Sequence, residues 1–367
     1  MKKAASAARL AEIETLLTGA ERAIRLIDRL VPQNAAAERE RLLSALRRGR
    51  AARAAFVYRT RPDLVVLRRH LDELCTELRD GNSLELLYAD RAQELSWDAA
   101  LVDALGGPDF VSRARVRFDP AALTPGAEVA ALVESWLGED TGVGERALIA
   151  SDDLAHPQSL INLLRARVGE LRLPVRVELR RGLGAVAAAG EDFVVVRPGV
   201  WLSVAEGERI ALHELSAHVL PRQRALGERL GIFRVGCRGS GEEEEGRAVL
   251  IEQRAGYLDA LRRRELAWRH LAAQAAHERA SLDETVELLR GRGASLEAAL
   301  DTSIRAQRGG GLGREIVYLP AYLRVRAAFA EQPSLEPFFE RGRVSLLACP
   351  VLAAVEAHEA GRDSTQS

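Results

Sequence analysis

Apolar side chains recur at helical spacing through the first hundred residues of this chain. Leu10, Ile13, Leu16, Leu17, Ile24, Ile27 and Leu30 stand among charged residues between positions 4 and 30, which predicts a helix broken by Pro32 and Asn34. The same period predicts a second helix from Ala35 to Val57 and a third from Pro62, with proline in the first turn, to Leu78. A fourth runs from Ser83 to Leu105, stopped by Gly106-Gly-Pro108. Residues 109–125 read as a loop or short extended piece around Pro120 and Pro125, and residues 126–138 as another helix. Near Leu173 the pattern changes. Val175-Arg-Val-Glu-Leu179 alternates apolar and polar, and Phe193-Val-Val-Val196 is a β-branched run between Gly190 and Pro198, so both read as strands. Helical period returns over 246–271 and 282–289. The expected fold class is α+β and helix-rich with a small mixed sheet. The expected organisation is a helical N-terminal region over 1–110, a second domain over 111–360 and a disordered tail over 361–367.

One apolar-periodic segment, Ile210-Ala-Leu-His-Glu-Leu-Ser-Ala-His-Val-Leu220, also carries chemistry. A helix with His-Glu-x-x-His sets two imidazoles on one face as metal ligands, with the glutamate beside them as general base. Here His213 and His218 are one residue further apart. In a regular α-helix that spacing turns them roughly 140° away from each other. A single π-type turn would bring both rings back to one face, so the spacing predicts a local widening of the helix. The alternative is a surface helix with two unrelated histidines. A catalytic zinc also needs a third protein ligand. The run Gly241-Glu-Glu-Glu-Glu-Gly-Arg-Ala-Val-Leu-Ile-Glu252 offers carboxylates, although an acidic first turn favoured by the helix dipole accounts for it equally. Glu245 and Glu252 share a face if Glu245 is already helical. Cys237 and His156 are weaker ligand candidates: the first suits a buried thiol and the second a turn.

Together, His-Glu-x-x-x-His, Glu-Gly-x-Ala some thirty residues on, and Arg-Gly-Gly-Gly followed by Val-Tyr-Leu resemble the domain-of-unknown-function 1704 family. It includes bacterial "QEGLA motif" proteins and the microtubule-associated tyrosine carboxypeptidases, which are zinc metallopeptidases. The matching motifs run from His213 to about Leu319, with weaker similarity back to about residue 83. The resemblance implies a zincin-like peptidase domain, Zn2+ held by His213, His218 and Glu245, and Glu214 as the catalytic base. It departs from the family at Glu244, where Gln is usual, at Arg247, which replaces Leu, and at Ala217, where Thr is common. If the enzyme is a carboxypeptidase, a cation must hold the substrate's terminal carboxylate, and Arg305, Arg308 and Arg314 around the glycine-rich loop are the candidates. Tyr318 is the candidate donor to a developing oxyanion. The expected function is zinc-dependent hydrolysis of a peptide bond in a peptide or protein C-terminal substrate. The other reading is a zinc-binding regulatory or interaction protein without turnover.

Composition changes this picture little. A formal net charge of -1 argues against a nucleic-acid partner. Lys2 and Lys3 are the sole lysines, so the positive charge is nearly all arginine, a compositional bias on its face. Ten arginines between Arg39 and Arg69 read either as solvated helix faces or as a basic surface for an acidic partner. Cys75, Cys237 and Cys349 are odd in number and widely spaced, which points to free thiols in a reducing compartment. Without a signal-peptide pattern or a long apolar run, the expected location is cytoplasmic, with no membrane partner. The oligomeric state has no signature in the sequence.

Overall fold

The computed structural model describes residues 7–364 apart from 52, 120–125, 141 and 143–146. Seven helices come first: α1 (Ala7–Ile24), α2 (Leu26–Arg29), α3 (Ala35–Arg47), α4 (Val65–Leu78), α5 (Ser83–Asp103), α6 (Phe110–Arg117) and α7 (Gly126–Leu137). A β-containing stretch follows with β1 (Ile149–Ala150), α8 (Leu160–Glu170), β2 (Arg176–Leu179), β3 (Ala187–Ala189), β4 (Phe193–Val196) and β5 (Trp201–Leu202). Then come α9 (Val204–Leu212), a π-helical segment (His213–Val219), α10 (Leu220–Ala225), α11 (Ile232–Val235), α12 (Ser240–Arg254) and α13 (Ala260–His277). The chain ends in α14 (Leu282–Gly291), α15 (Leu296–Ala306), α16 (Tyr318–Glu331), α17 (Glu336–Arg341) and α18 (Cys349–Ser364). The result is a helix-rich α+β fold with small sheets, as the periodicity predicts.

Several elements differ from expectation. The first helix breaks at Arg25, which takes a φ of 45°. The helix starting at Ala35 ends at Arg47 instead of Val57. Beyond it the backbone folds back on α3, Val57 N donating to Asn34 Oδ1 at 2.9 Å and Gln33 N to Val57 O at 2.8 Å. These bonds replace the helical ladder. Residues 110–117 form a helix where a loop is expected, because Phe110, Val111 and Ala114 are buried on one face of it. Pro120 and Pro125 lie outside the described residues. The predicted helix over 246–271 is two, separated where Gly256 takes a φ of 80°. At the end, α18 runs through 361–364, part of the expected tail, while 365–367 lie outside the described residues.

The three-stranded sheet has the order β2-β4-β3, with β2 parallel and β3 antiparallel to β4, and β1 pairs with β5. This sheet, α8, α9 and the apolar side of the π segment share one core: Leu160, Ile161, Val194, Val196, Leu215 and Val219. A larger core draws on α1, α4, α5, α12, α16 and α18, from Ile13 to Leu352. The π segment belongs to the first core and α12 to the second, so the predicted ligands sit at the seam between them.

Much of the basic stretch from Arg39 to Arg69 is engaged within the chain. Arg39 pairs with Asp301 at 2.5 Å, Arg47 with Glu297 at 2.6 Å and Arg68 with Asp103 at 3.3 Å. Among the described residues no helix is long and apolar enough to cross a membrane.

Candidate metal centre

Helix α9 starts from a capping box in which Ser203 and Glu206 satisfy each other's backbone donors. It continues into the π-helical turn over His213–Val219, the widening that the five-residue spacing predicts. The two imidazoles consequently come together, with ring centroids 5.1 Å apart. Glu245 reaches them from α12, and the donor atoms of His213, His218 and Glu245 all lie within 4.8 Å of one another. His213 Nε2 is 3.7 Å from Glu245 Oε2. Ligands of a tetrahedral zinc, at about 2.0–2.2 Å from the ion, are roughly 3.4 Å apart. Two imidazoles and a carboxylate at this spacing therefore fit such an ion after a closure of about 1 Å.

Each candidate ligand has a charged neighbour behind it. His213 Nδ1 is 2.7 Å from Glu252 Oε1, and that buried carboxylate accepts two bonds from Arg262, at 2.8 and 3.0 Å. Arg209 lies 3.4 Å from the same group. Carboxylate contact to Nδ1 leaves Nε2 facing Glu245 and orients the ring. His218 Nδ1 is 2.9 Å from Glu244 Oε1, but the carboxylate lies off the N–H direction, so this contact is electrostatic rather than an aligned hydrogen bond. Burial disfavours the His218 imidazolium, yet Glu244, Glu245 and Glu214 together outweigh it and raise the ring above its ordinary value. Burial likewise works against the Glu245 carboxylate, but Arg314 and the two histidines hold its pKa below the ordinary range.

The acidic run is not a solvated helix start. Glu242 pairs with Arg117 of α6, and Glu243 accepts from Leu346 N at 2.6 Å with Arg324 of α16 at 3.5 Å. Glu244 faces Arg222 of α10 at 3.3 Å, and Glu245 faces Arg314 at 3.2 Å. Four consecutive carboxylates thus meet four cations from different parts of the chain. Gly246 has a packing reason: a Cβ there would come within 2.4 Å of the Ala321 backbone in α16.

Glu214 is 8% exposed and, among the described residues, has no hydrogen-bond or ion-pair partner. Its charge helps to favour the protonated form of the neighbouring His218 ring. Glu214 lines a cavity of about 820 Å³ together with the triad, the edge strand β3 and the loop before it. Tyr318, at the start of α16, lines the same cavity with Arg314 over its ring at 5.7 Å. Burial raises the Tyr318 phenol, so its proton stays in place.

The three candidate arginines also line the cavity, in different states. Arg305 is taken by Glu315 and Arg314 by Glu245, whereas Arg308 donates to the Gly184 carbonyl and meets no carboxylate among the described residues. The glycine-rich loop serves packing: Gly309 has a φ of 68° and a Cβ there would strike the Phe110 ring. Of the weaker ligand candidates, His156 accepts from Gln158 N in a turn, and Cys237 is a core thiol that burial pushes up to about 12. All three cysteines are free and buried. The residues that sequence reasoning missed are Arg262, which fixes Glu252, and Arg269, which lines the cavity from α13. Neither belongs to a recognisable motif.

No curated protein and no solved structure matches the chain. A family model described as microtubule-associated tyrosine carboxypeptidase matches residues 46–364, which takes in every residue of the site. The chain belongs to that family, and membership implies a peptide-hydrolysing, carboxypeptidase-like activity.

Proposed function

We propose that the chain is a zinc-dependent carboxypeptidase acting on the C-terminal end of a peptide or protein, with His213, His218 and Glu245 as the metal ligands. The observation that carries this reading is the cluster of two imidazoles and a carboxylate whose donor atoms lie within 4.8 Å, with the unpaired Glu214 lining the same cavity. When bound, a zinc ion supplies Lewis acidity, lowering the pKa of water towards about 7 and polarising the scissile carbonyl. Glu214 takes the proton from the attacking water and passes it to the leaving amine, so no covalent intermediate with the protein is needed. Tyr318, kept protonated by burial, donates to the oxygen that gains charge on the acyl carbon. Arg308 is the grip for the terminal carboxylate, because Arg305 and Arg314 already carry carboxylates of their own. Strand β3, at the edge of its sheet, offers backbone groups for an extended substrate. Three free, buried thiols favour a reducing, cytoplasmic setting.

The test pairs metal content with profiling of cleaved peptide ends. Glu214→Gln should keep stoichiometric zinc and lose hydrolysis by roughly a hundredfold to ten-thousandfold. Release of single C-terminal residues is expected from the wild type. Zinc bound without any cleavage would leave the binding-protein reading standing instead.

A further inference from the structure

The π turn ends on a gap in its hydrogen-bond ladder. Leu220 N closes the last five-residue step by donating to Leu215 O. The next step would run from residue 221 to the Ser216 carbonyl, but residue 221 is proline and has no N–H to give. A backbone carbonyl shielded from water is rarely left without a donor, so the Ser216 oxygen needs one from outside its own helix. Arg247 of α12 supplies it, with Nη1 3.4 Å away.

Arg247 does little else. It is 6% exposed and does not line the cavity. Among the described residues it makes no ion pair, and its Nε has no hydrogen-bond partner. Burial outweighs the pull of Glu340, Glu336 and Glu244 and holds its pKa below the ordinary value. A guanidinium buried in that state is a cost to folding. What it touches is the turn that sets His213 and His218 on a common face, and its own helix carries Glu245 two residues earlier.

We propose that Arg247 is a positioning residue for the metal centre: by donating to the carbonyl that Pro221 leaves open, it holds the widened turn in the register that brings both imidazoles to Glu245. Without that donor the turn relaxes towards regular α spacing, where residues five apart point roughly 140° away from each other. The inference rests on the triad being the metal site, and it adds a residue that is neither ligand nor base.

The experiment uses the full chain. Arg247→Met keeps the apolar stem and removes the donor. It should bind zinc about tenfold more weakly in competition with a chelator, the value of one hydrogen bond from a charged group. Metal-free Arg247→Met should unfold at the same denaturant concentration as the wild type or a higher one, because a buried unpaired charge has gone. Arg247→Lys should restore most of the zinc affinity. Pro221→Ala returns an N–H at the open step, so in that background Arg247→Met should cost less than about twofold. The Leu220 amide reads the turn without metal: its hydrogen exchange should quicken about tenfold in Arg247→Met and stay near the wild-type rate when Pro221→Ala is added. Unchanged zinc affinity in Arg247→Met, stability lost in step with affinity, or a tenfold cost that persists beside Pro221→Ala each overturns the proposal. If the wild type binds no zinc, the metal reading alone falls and the Leu220 exchange decides the positioning role, an unchanged rate sinking it.

Discussion

Gly246 gives the sharpest prediction, because its neighbours are backbone atoms that no rotamer change can move. A Cβ there would sit 2.4 Å from the Ala321 carbonyl carbon and 2.6 Å from the Tyr322 nitrogen, where ordinary contact begins at 3.4 Å. Gly246→Ala therefore forces α12 and α16 apart by about 1 Å. The substitution gains about 1 kcal/mol of helix propensity. Overpacking costs about 1–3 kcal/mol, and a clash that displaces a whole helix belongs at the upper end, leaving a net loss of about 2 kcal/mol. The displaced helix begins at Tyr318, and the displacing one holds Glu245 next to the substitution, so zinc affinity should weaken as well. Denaturant titration of metal-free protein measures the first effect: the midpoint should fall with the slope unchanged. A variant as stable as the wild type, or more so, would refute the argument, since propensity would then outweigh contact.

Two further predictions concern charges behind the site. Glu252→Gln keeps the side chain's size but removes the anion that orients His213, so in a variant that remains folded zinc affinity should drop roughly tenfold to a hundredfold by competition with a chelator; unchanged affinity would show that the ring needs no such support. At the other side, Arg117 faces Asp98, Glu94 and Glu242, and burial, opposed by Arg117 and joined by Glu94, pushes the Asp98 carboxyl up to about 6. A raised acid binds its proton more tightly folded than unfolded, so its stabilisation is complete below the ordinary value of 3.8 and disappears as pH climbs through about 6. The wild type should lose about 2 kcal/mol more than Asp98→Asn between roughly pH 4.5 and 7.5 in denaturant melts, and parallel losses would count against it.

What the sequence discloses follows from how local each feature is. The spacing of His213 and His218 states its own geometry, because a widened turn is the helical way to seat both rings together. The strands at 176–179 and 193–196 and the helices with clean periods were legible for the same reason. Glu245 emerged from a family motif, since nothing in Glu-Glu-Glu-Glu distinguishes one carboxylate from the next. Helix α3 was overextended because the bonds of Val57 to Asn34 and Gln33 have no local signal. In α6, burial of Phe110 against Leu30 and Leu312 overrode a sequence that reads as a loop.

The same reasoning revises the view of arginine as mere compositional bias. The four carboxylates from Glu242 to Glu245 are each met by a cation from another element, at separations along the chain of up to 125 residues. A lysine could neutralise such a carboxylate, but Arg262 binds both oxygens of Glu252 with its fork and fixes the orientation of His213 through it. Buried ion pairs contribute little net stability compared with apolar packing, so a chain that buries this many is selecting geometry instead. Where the pairing stops is therefore informative. Glu214, Arg269 and Arg308 make no ion pair among the described residues, and all three line one cavity. Under the proposed function, those are the positions at which substrate and water supply a partner, whereas the buried Arg247 meets the Ser216 carbonyl from within the chain.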